Sequence, residues 1–294
     1  MKWNSVIICT LLGTLLASGP PSLFAEEDAQ GRDGLSEPLL RVARATTPSV
    51  PAHPLDPALE FARNGLATIQ TGIRDYTCTL VKRERINGQL GDYEYMFTKV
   101  RNRQVVDGQV VSPFSVYMYF LKPSTVQGRE VMYVEGKNDD KMIAREGGTA
   151  GKYLPTVWLR PNGIIAMRGQ LYPITDIGLE NLVLKLIERG EGEKRLGNMN
   201  CAVSFHPNAK INGRACTLLQ IKYDKPGPGV EFHLAQIFID DEYQVPIRYA
   251  AFGFPQKDGE TPPVLEEYTY LNLKFNVGLT DKDFDETNSE YSFR

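Results

Sequence analysis

The chain has 294 residues, 42% hydrophobic and 23% charged, the composition of a globular protein able to bury a sizeable core. Its formal net charge is -3, or -4 without Lys2, the one charged side chain of the first 25 residues; this is too near neutral to steer the chain onto nucleic acid. With 3 histidines, one of them His53 in a linker-like stretch, there is little material for histidine catalysis or metal binding.

Residues 1–25 combine Lys2, the apolar run VIICTLLGTLLASG and a small-residue site ending at Ala25. The run is shorter than the roughly 20 residues a bilayer span needs, so a cleaved signal peptide is expected, with the mature protein in the periplasm or beyond. Cys9 sits within that run and lacks the preceding small residues of a lipidated cysteine. Residues 26–55 are rich in Pro, Ser, Thr and charge without a sustained period, and predict a disordered linker. Residues 56–294 then form one domain.

The domain opens with a helix, Asp56 as its N-cap and Pro57 at the first helical position. Leu59, Ala62, Leu66, Ile69 and Ile73 make its apolar stripe, expected to lie on strands because no partner helix follows nearby. From Tyr76 the period becomes two, and Asn87-Gly88 marks a tight hairpin that sets Leu80 opposite Tyr95, Cys78 opposite Phe97 and Arg83 opposite Asp92. FSVYMYFLKP is apolar on both faces and predicts a strand covered on both sides. A hairpin turning at Gly136–Asp140 follows, then short strands or a lid over 152–168. A second helix is predicted over Thr175–Arg189, with Leu179, Leu182, Val183, Leu186 and Ile187 inward and Gly190 as its stop.

AQIFIDDEYQVPIRYAAF, turning at Asp240–Gln244, and VLEEYTYLNLKF are the longest strand-like runs. In the second, Leu265, Glu267, Thr269, Leu271, Leu273 and Phe275 alternate with Glu266, Tyr268, Tyr270, Asn272 and Lys274, and Pro246 suits the start of a strand. At least eight strands, two helices and no βαβ alternation define an α+β fold on an antiparallel sheet.

Cys201 and Cys216 bracket two strands in a compartment that permits disulfides. A turn at Asn208-Ala209 would oppose them directly, whereas a turn at Asn212-Gly213 would set Cys216 against Ala209 and require a bend. The expected outcome is a Cys201–Cys216 disulfide, the alternative being two buried free thiols, with Cys78 a core hydrophobe in either case.

GGTAGKY at 147–153 has the wrong glycine spacing for a phosphate loop, and Tyr153 stands where Ser or Thr must reach magnesium. Asp281, Asp283 and Asp285 imitate a calcium loop, but Glu286 replaces its glycine and Ser292 its bidentate glutamate. Glu266 and Glu267 point to opposite faces and cannot share a substrate. No cofactor and no catalytic residue is therefore expected. What remains is an excess of aromatic and aliphatic side chains on strands. Tyr93, Tyr95, Phe97, Tyr117, Tyr119, Met132, Phe238, Tyr249, Tyr268 and Tyr270 are candidates to line an apolar cavity on a curved sheet plugged by helices. Position by position an ordinary core is the favoured reading; the tyrosine hydroxyls, which need partners or water, tilt the balance back.

The runs YTCTLVKRERINGQL, VYMYFLKPSTVQGREVMYVEGKND, IFIDDEYQVPIRY and LEEYTYLNLKFNVGLTDKDFD resemble domain-of-unknown-function family 1571 (DUF1571), secreted bacterial proteins found mainly in planctomycetes. More distantly, the order of elements is similar to the LolA/LolB-like superfamily of periplasmic lipoprotein carriers and related envelope sensors. That resemblance implies an incomplete, strongly curved antiparallel barrel with helices packed on its concave face. It also implies binding of a lipid or lipoprotein acyl chain without catalysis. A sensor or interaction module with an envelope protein partner is the second reading and a hydrolase the third; no family residue carries a catalytic role across.

Overall fold

The structure, a computed structural model, describes residues 53–293 apart from 150, 152 and 258. The expected signal peptide, and all of the expected linker but its last three residues, lie outside them. Those three are not loose: His53 and Leu55 are buried, and the His53 amide donates to Asp56 Oδ2 at 2.8 Å.

Fourteen of the sixteen α-helices and strands among the described residues build or flank one sheet. Helix α1 (Asp56–Gly72) leads into β1 (Asp75–Ile86), β2 (Gln89–Leu90) and β3 (Glu94–Arg101). A separate hairpin, β4 (Gln104–Val106) and β5 (Gln109–Ser112), precedes β6 (Ser115–Lys122), β7 (Glu130–Val134), β8 (Met142–Arg145) and β9 (Val157–Leu159). Helix α2 (Leu179–Arg195) follows, then β10 (Cys201–Ile211), β11 (Arg214–Tyr223), β12 (Leu234–Asp240), β13 (Pro246–Phe252) and β14 (Val264–Phe275). The sheet has 12 strands, is antiparallel throughout and is not closed, with the order β10-β11-β12-β13-β14-β1-β3-β6-β7-β8-β9 and β2 attached to β1. Register breaks at Thr77/Thr79, Tyr95/Met96, His206/Ala209, Phe238/Ile239 and Ala251/Phe252 put bulges into five of its strand pairs, and bulges bend and twist the strands that carry them. The result is a curved α+β sheet with both helices against its inner face.

Both helices differ from expectation at their ends, for tertiary reasons. Asp56 is the first helical residue and Leu55 the N-cap; the Asp56 carboxylate instead pairs with Lys194 near the end of α2. The α1 stripe does have a partner helix, since α2 runs antiparallel to α1, with Gln70 Nε2 donating to Glu180 Oε1 at 2.9 Å at the other end. Gly190 does not stop α2, which continues to Arg195. A Cβ there would meet Leu59 Cδ2 at 2.8 Å, so this glycine allows the close approach of the two helices.

The hairpin register also departs from expectation. Ile86 pairs with Gln89 around Asn87-Gly88 as predicted, but Lys82 then pairs with Glu94 and Leu80 with Met96. Gly91 still keeps the predicted register, its amide reaching Glu84 O at 2.9 Å, but one extra residue between it and Glu94 slips the pairing by one and turns every β3 side chain to the opposite face. Cys78 therefore faces Thr98, not Phe97.

The expected Cys201–Cys216 disulfide is absent. The turn is at Asn212-Gly213, Cys216 pairs with Ala209, and Cys201 pairs with Tyr223 at the far end of the hairpin. Eight positions at about 3.3 Å per residue separate the two rungs, far beyond disulfide reach. Burial pushes the Cys78 thiol up, and burial with help from Glu193 pushes the Cys201 thiol up to about 11.

Candidate functional site

The inner face is built from alternate residues of each strand. Tyr76, Leu80, Met96, Val100, Val116, Met118 and Phe120 on one side continue into Tyr270, Tyr268, Tyr249, Ile237 and Leu219 on the other. Tyr76 fixes α2 to this face: its hydroxyl accepts the Leu179 amide at 2.9 Å.

A cavity of about 340 Å³ lies over β3, β6, β7 and β8. Met96, Met118, Phe120, Val131, Met142 and Ala144 form its floor, and Val157 and Leu159 of β9 one wall. The segment after β8 folds back as a roof, contributing Leu154, Pro155, Pro161, Ile165 and Ala166. Three methionines make this floor soft, because an unbranched thioether fills irregular space in several rotamers at little cost. The glycines that looked faintly like a phosphate loop serve this fold-back: a Cβ on Gly147 would lie 2.2 Å from Arg129 N.

Two cations at the chamber are matched by carboxylates. Arg129 reaches Glu146 at 2.6 Å and lies over the Phe120 ring. Lys82, nearly buried, meets Glu84 at 3.4 Å, Glu94 at 3.2 Å and the Gln170 side chain. Next to the chamber a smaller cavity of about 60 Å³ is polar on its sheet side. There Tyr268 donates to Glu84 Oε1 at 2.5 Å, the Leu171 amide donates to Glu84 Oε2 at 3.1 Å, and Arg189 donates to Tyr172 OH at 2.5 Å. These bonds tie the end of the roof to the sheet and to α2. Arg189 also meets Glu266 at 3.3 Å, while Glu266 Oε2 is buried without a protein partner. Burial, with Glu84 and Glu266 close by, raises Tyr268 far above the ordinary phenol range, so it stays protonated and donates. A third cavity, about 70 Å³ and apolar, lies between α1, α2 and β11–β13.

Of the ten candidate lining residues, Tyr249, Tyr268 and Tyr270 face the inner side and line the two smaller cavities. The other seven lie on the opposite face. The one-residue slip puts Tyr93, Tyr95 and Phe97 there, with Tyr93 donating to Glu267 at 2.7 Å. Phe97 pairs with Tyr119, Tyr117 with Met132, and Phe238 with Arg248 on that same face. The chamber floor was missed in the sequence because Met96, Met118 and Met142 alternate with the more conspicuous tyrosines. Among the described residues no group of three or more His, Cys, Asp and Glu is placed to hold a metal ion; Asp281 and Asp283 are paired with Arg101 at 2.8 Å and Lys99 at 2.9 Å.

These features define an open curved antiparallel sheet whose inner face carries two helices and an apolar chamber. The chain belongs to the DUF1571 family, described as a protein of unknown function, whose profile matches residues 73–293. No curated protein matches it. Among solved structures it is similar to the lipoprotein LppX of Mycobacterium tuberculosis, with 14% identity, 78% of this chain and 100% of that one covered, and a TM-score of 0.41. It is also similar to a DUF1329 family protein of Desulfovibrio piger, with 13% identity, 80% and 98% covered, and a TM-score of 0.38. A LolA superfamily protein of Nitrosomonas europaea has 10% identity, 76% and 97% covered, and a TM-score of 0.33. At TM-scores under 0.5 these likenesses carry no weight for function.

Proposed function

We propose that this is a non-enzymatic binding protein of the bacterial envelope, holding a lipid or lipoprotein acyl chain in the methionine-floored chamber. The observation that supports this is the chamber itself: about 340 Å³, apolar in floor and roof, with Lys82 and Arg129 at its edge already matched by carboxylates. Such a space rewards a flexible hydrocarbon at about 0.8 kcal/mol per buried methylene, so ten methylenes supply roughly 8 kcal/mol before the costs of ordering. The roof, hydrogen-bonded to the sheet at Leu171 and to α2 at Tyr172, is the part that moves to admit and release the chain.

Protein purified from its own envelope and sprayed under native conditions should carry a lipid-sized adduct. Ala144→Trp, which fills the chamber from β8, should remove that adduct. Protein that arrives free of lipid with a stoichiometric protein partner would overturn the acyl reading in favour of an interaction module.

A further inference from the structure

The roof, together with the edge strand β9 beside it, also presents apolar side chains to solvent. Tyr153 is 86% exposed, Ile164 90%, Ile165 68% and Leu154 50%, and Trp158 of β9 is 41% exposed. Singly exposed apolar residues need no explanation, but several on one short segment mark a contact surface. The charge pattern there is one-sided. From residue 147 to residue 175 the sequence has Lys152, Arg160 and Arg168 and no Asp or Glu, in a chain whose net charge is -3. Arg168 is exposed at the end of the segment.

The other apolar patch, Val105, Val106, Val110 and Val111 on the β4–β5 hairpin, lacks this character. It carries Asp107 at its turn, and its neighbouring Arg103 is held by Glu135 at 3.0 Å. The roof, unlike that hairpin, combines exposed aliphatic and aromatic tips with a run of sequence that is positive only. It is also continuous with the chamber, since Leu154 and Ile165 both line the cavity and reach solvent.

We infer that the roof segment docks onto a lipid bilayer rich in anionic head groups. Ile164 and Ile165 enter the interface between head groups and acyl chains, Tyr153 and Trp158 sit at head-group level, and Arg160 and Arg168 meet the phosphates. Aromatic rings favour that depth because one end is apolar and the other wet, and basic side chains near an anionic surface each strengthen attachment severalfold. The inference goes beyond the ligand reading, because docking requires only the solvent-exposed side chains of the roof and β9 and holds whether or not the chamber carries a chain.

Trp158 supplies the readout, since Trp3 is the other tryptophan of the chain and a Trp158→Phe variant gives its background. Full-length protein is mixed with vesicles of phosphatidylcholine alone or of phosphatidylcholine with phosphatidylglycerol, and both co-sedimentation and Trp158 emission are followed. The expected result is binding to the anionic vesicles with a blue shift, weakened by salt. Arg160→Gln with Arg168→Gln should lower partitioning at least about tenfold, as should Ile164→Ser with Ile165→Ser. All four positions are in the roof, and unchanged thermal midpoints confirm that these variants fold. Val106→Ser with Val111→Ser should bind as the parent does. Equal binding to both vesicle types, absence of binding to either, or loss of binding only in the hairpin variant would each overturn the inference. None of these outcomes bears on the mass-spectrometric test of a bound acyl chain, so the two ideas fail separately.

Discussion

Glu193 shows how a single side chain makes stability depend on pH. It projects from α2 into the apolar cavity between α1, α2 and β11–β13, is 6% exposed, and its Oε2 has no partner. Burial, together with the charge of Glu231, pushes its carboxyl up to about 7 against the opposing pull of Arg189. The unfolded chain holds a glutamate near 4.5, so between that pH and about 7 the folded form binds a proton that the unfolded form has released. Stability contributed at this site therefore falls as pH rises through that window and is lowest above it. Glu193→Gln should be nearly neutral at about pH 5 and should stabilise the protein by about 2 kcal/mol at about pH 8, after discounting for solvent screening. Urea unfolding of both proteins at four pH values checks this; parallel curves across the window would refute it.

At the scale of elements, the roof is latched by a few bonds of known direction. Glu84 of β1 accepts both the Leu171 amide and the Tyr268 hydroxyl, and Lys82 lies beside it. Glu84→Gln removes the charge from these bonds, a change on the order of 1.5 kcal/mol. It should speed amide exchange over residues 160–171 by roughly tenfold while leaving β1 and β14 protected, as read by hydrogen exchange. Tyr172→Phe, which loses the Arg189 bond but keeps the charge of Glu84, should act more weakly in the same direction, and unchanged exchange in both variants would show that the latch is not limiting.

The same strands show where sequence was sufficient and where it was not. Asn87-Gly88, Pro246 and the alternation in β14 located strands and turns because local backbone preferences set them. The extra residue between Gly91 and Glu94 had no local signature distinct from an ordinary turn residue, and it decided the face of Tyr93, Tyr95 and Phe97. Gly190 was misread for a related reason: a glycine needed for contact with Leu59 looks the same in sequence as one that ends a helix.

For the whole molecule, the central fact is that at β6–β8 both faces of the sheet are covered, each by a different part of the chain. The helices and the chamber occupy the inner face, whereas Tyr117, Met132, Val134 and Ile143 form a second cluster on the outer face with Phe284, Tyr291 and Phe293 of the C-terminal tail. The doubly apolar pattern of β6 was legible in sequence as a strand covered on both sides, but its cover lies well over a hundred residues away and only the fold brings it there. Tyr291 is the centre of that cover: it stacks on Tyr117 with ring centroids 4.1 Å apart, donates to Asp283 O at 2.7 Å, and accepts from Lys99 at 3.1 Å. Tyr291→Ala should cost about 3 kcal/mol, and for a domain of this size lower the thermal midpoint by about 6–12 °C. Because the chamber opens on the other face, a lipid adduct seen for the parent under native mass spectrometry should persist in this variant at temperatures where it remains folded. Retention there with loss in Ala144→Trp assigns the ligand to the methionine floor. The opposite pattern, loss in Tyr291→Ala and retention in Ala144→Trp, would move it to the outer face beside Tyr117, Tyr119 and Met132, because no route through a well-packed sheet lets one side chain empty a cavity on the far side while the strands between stay intact.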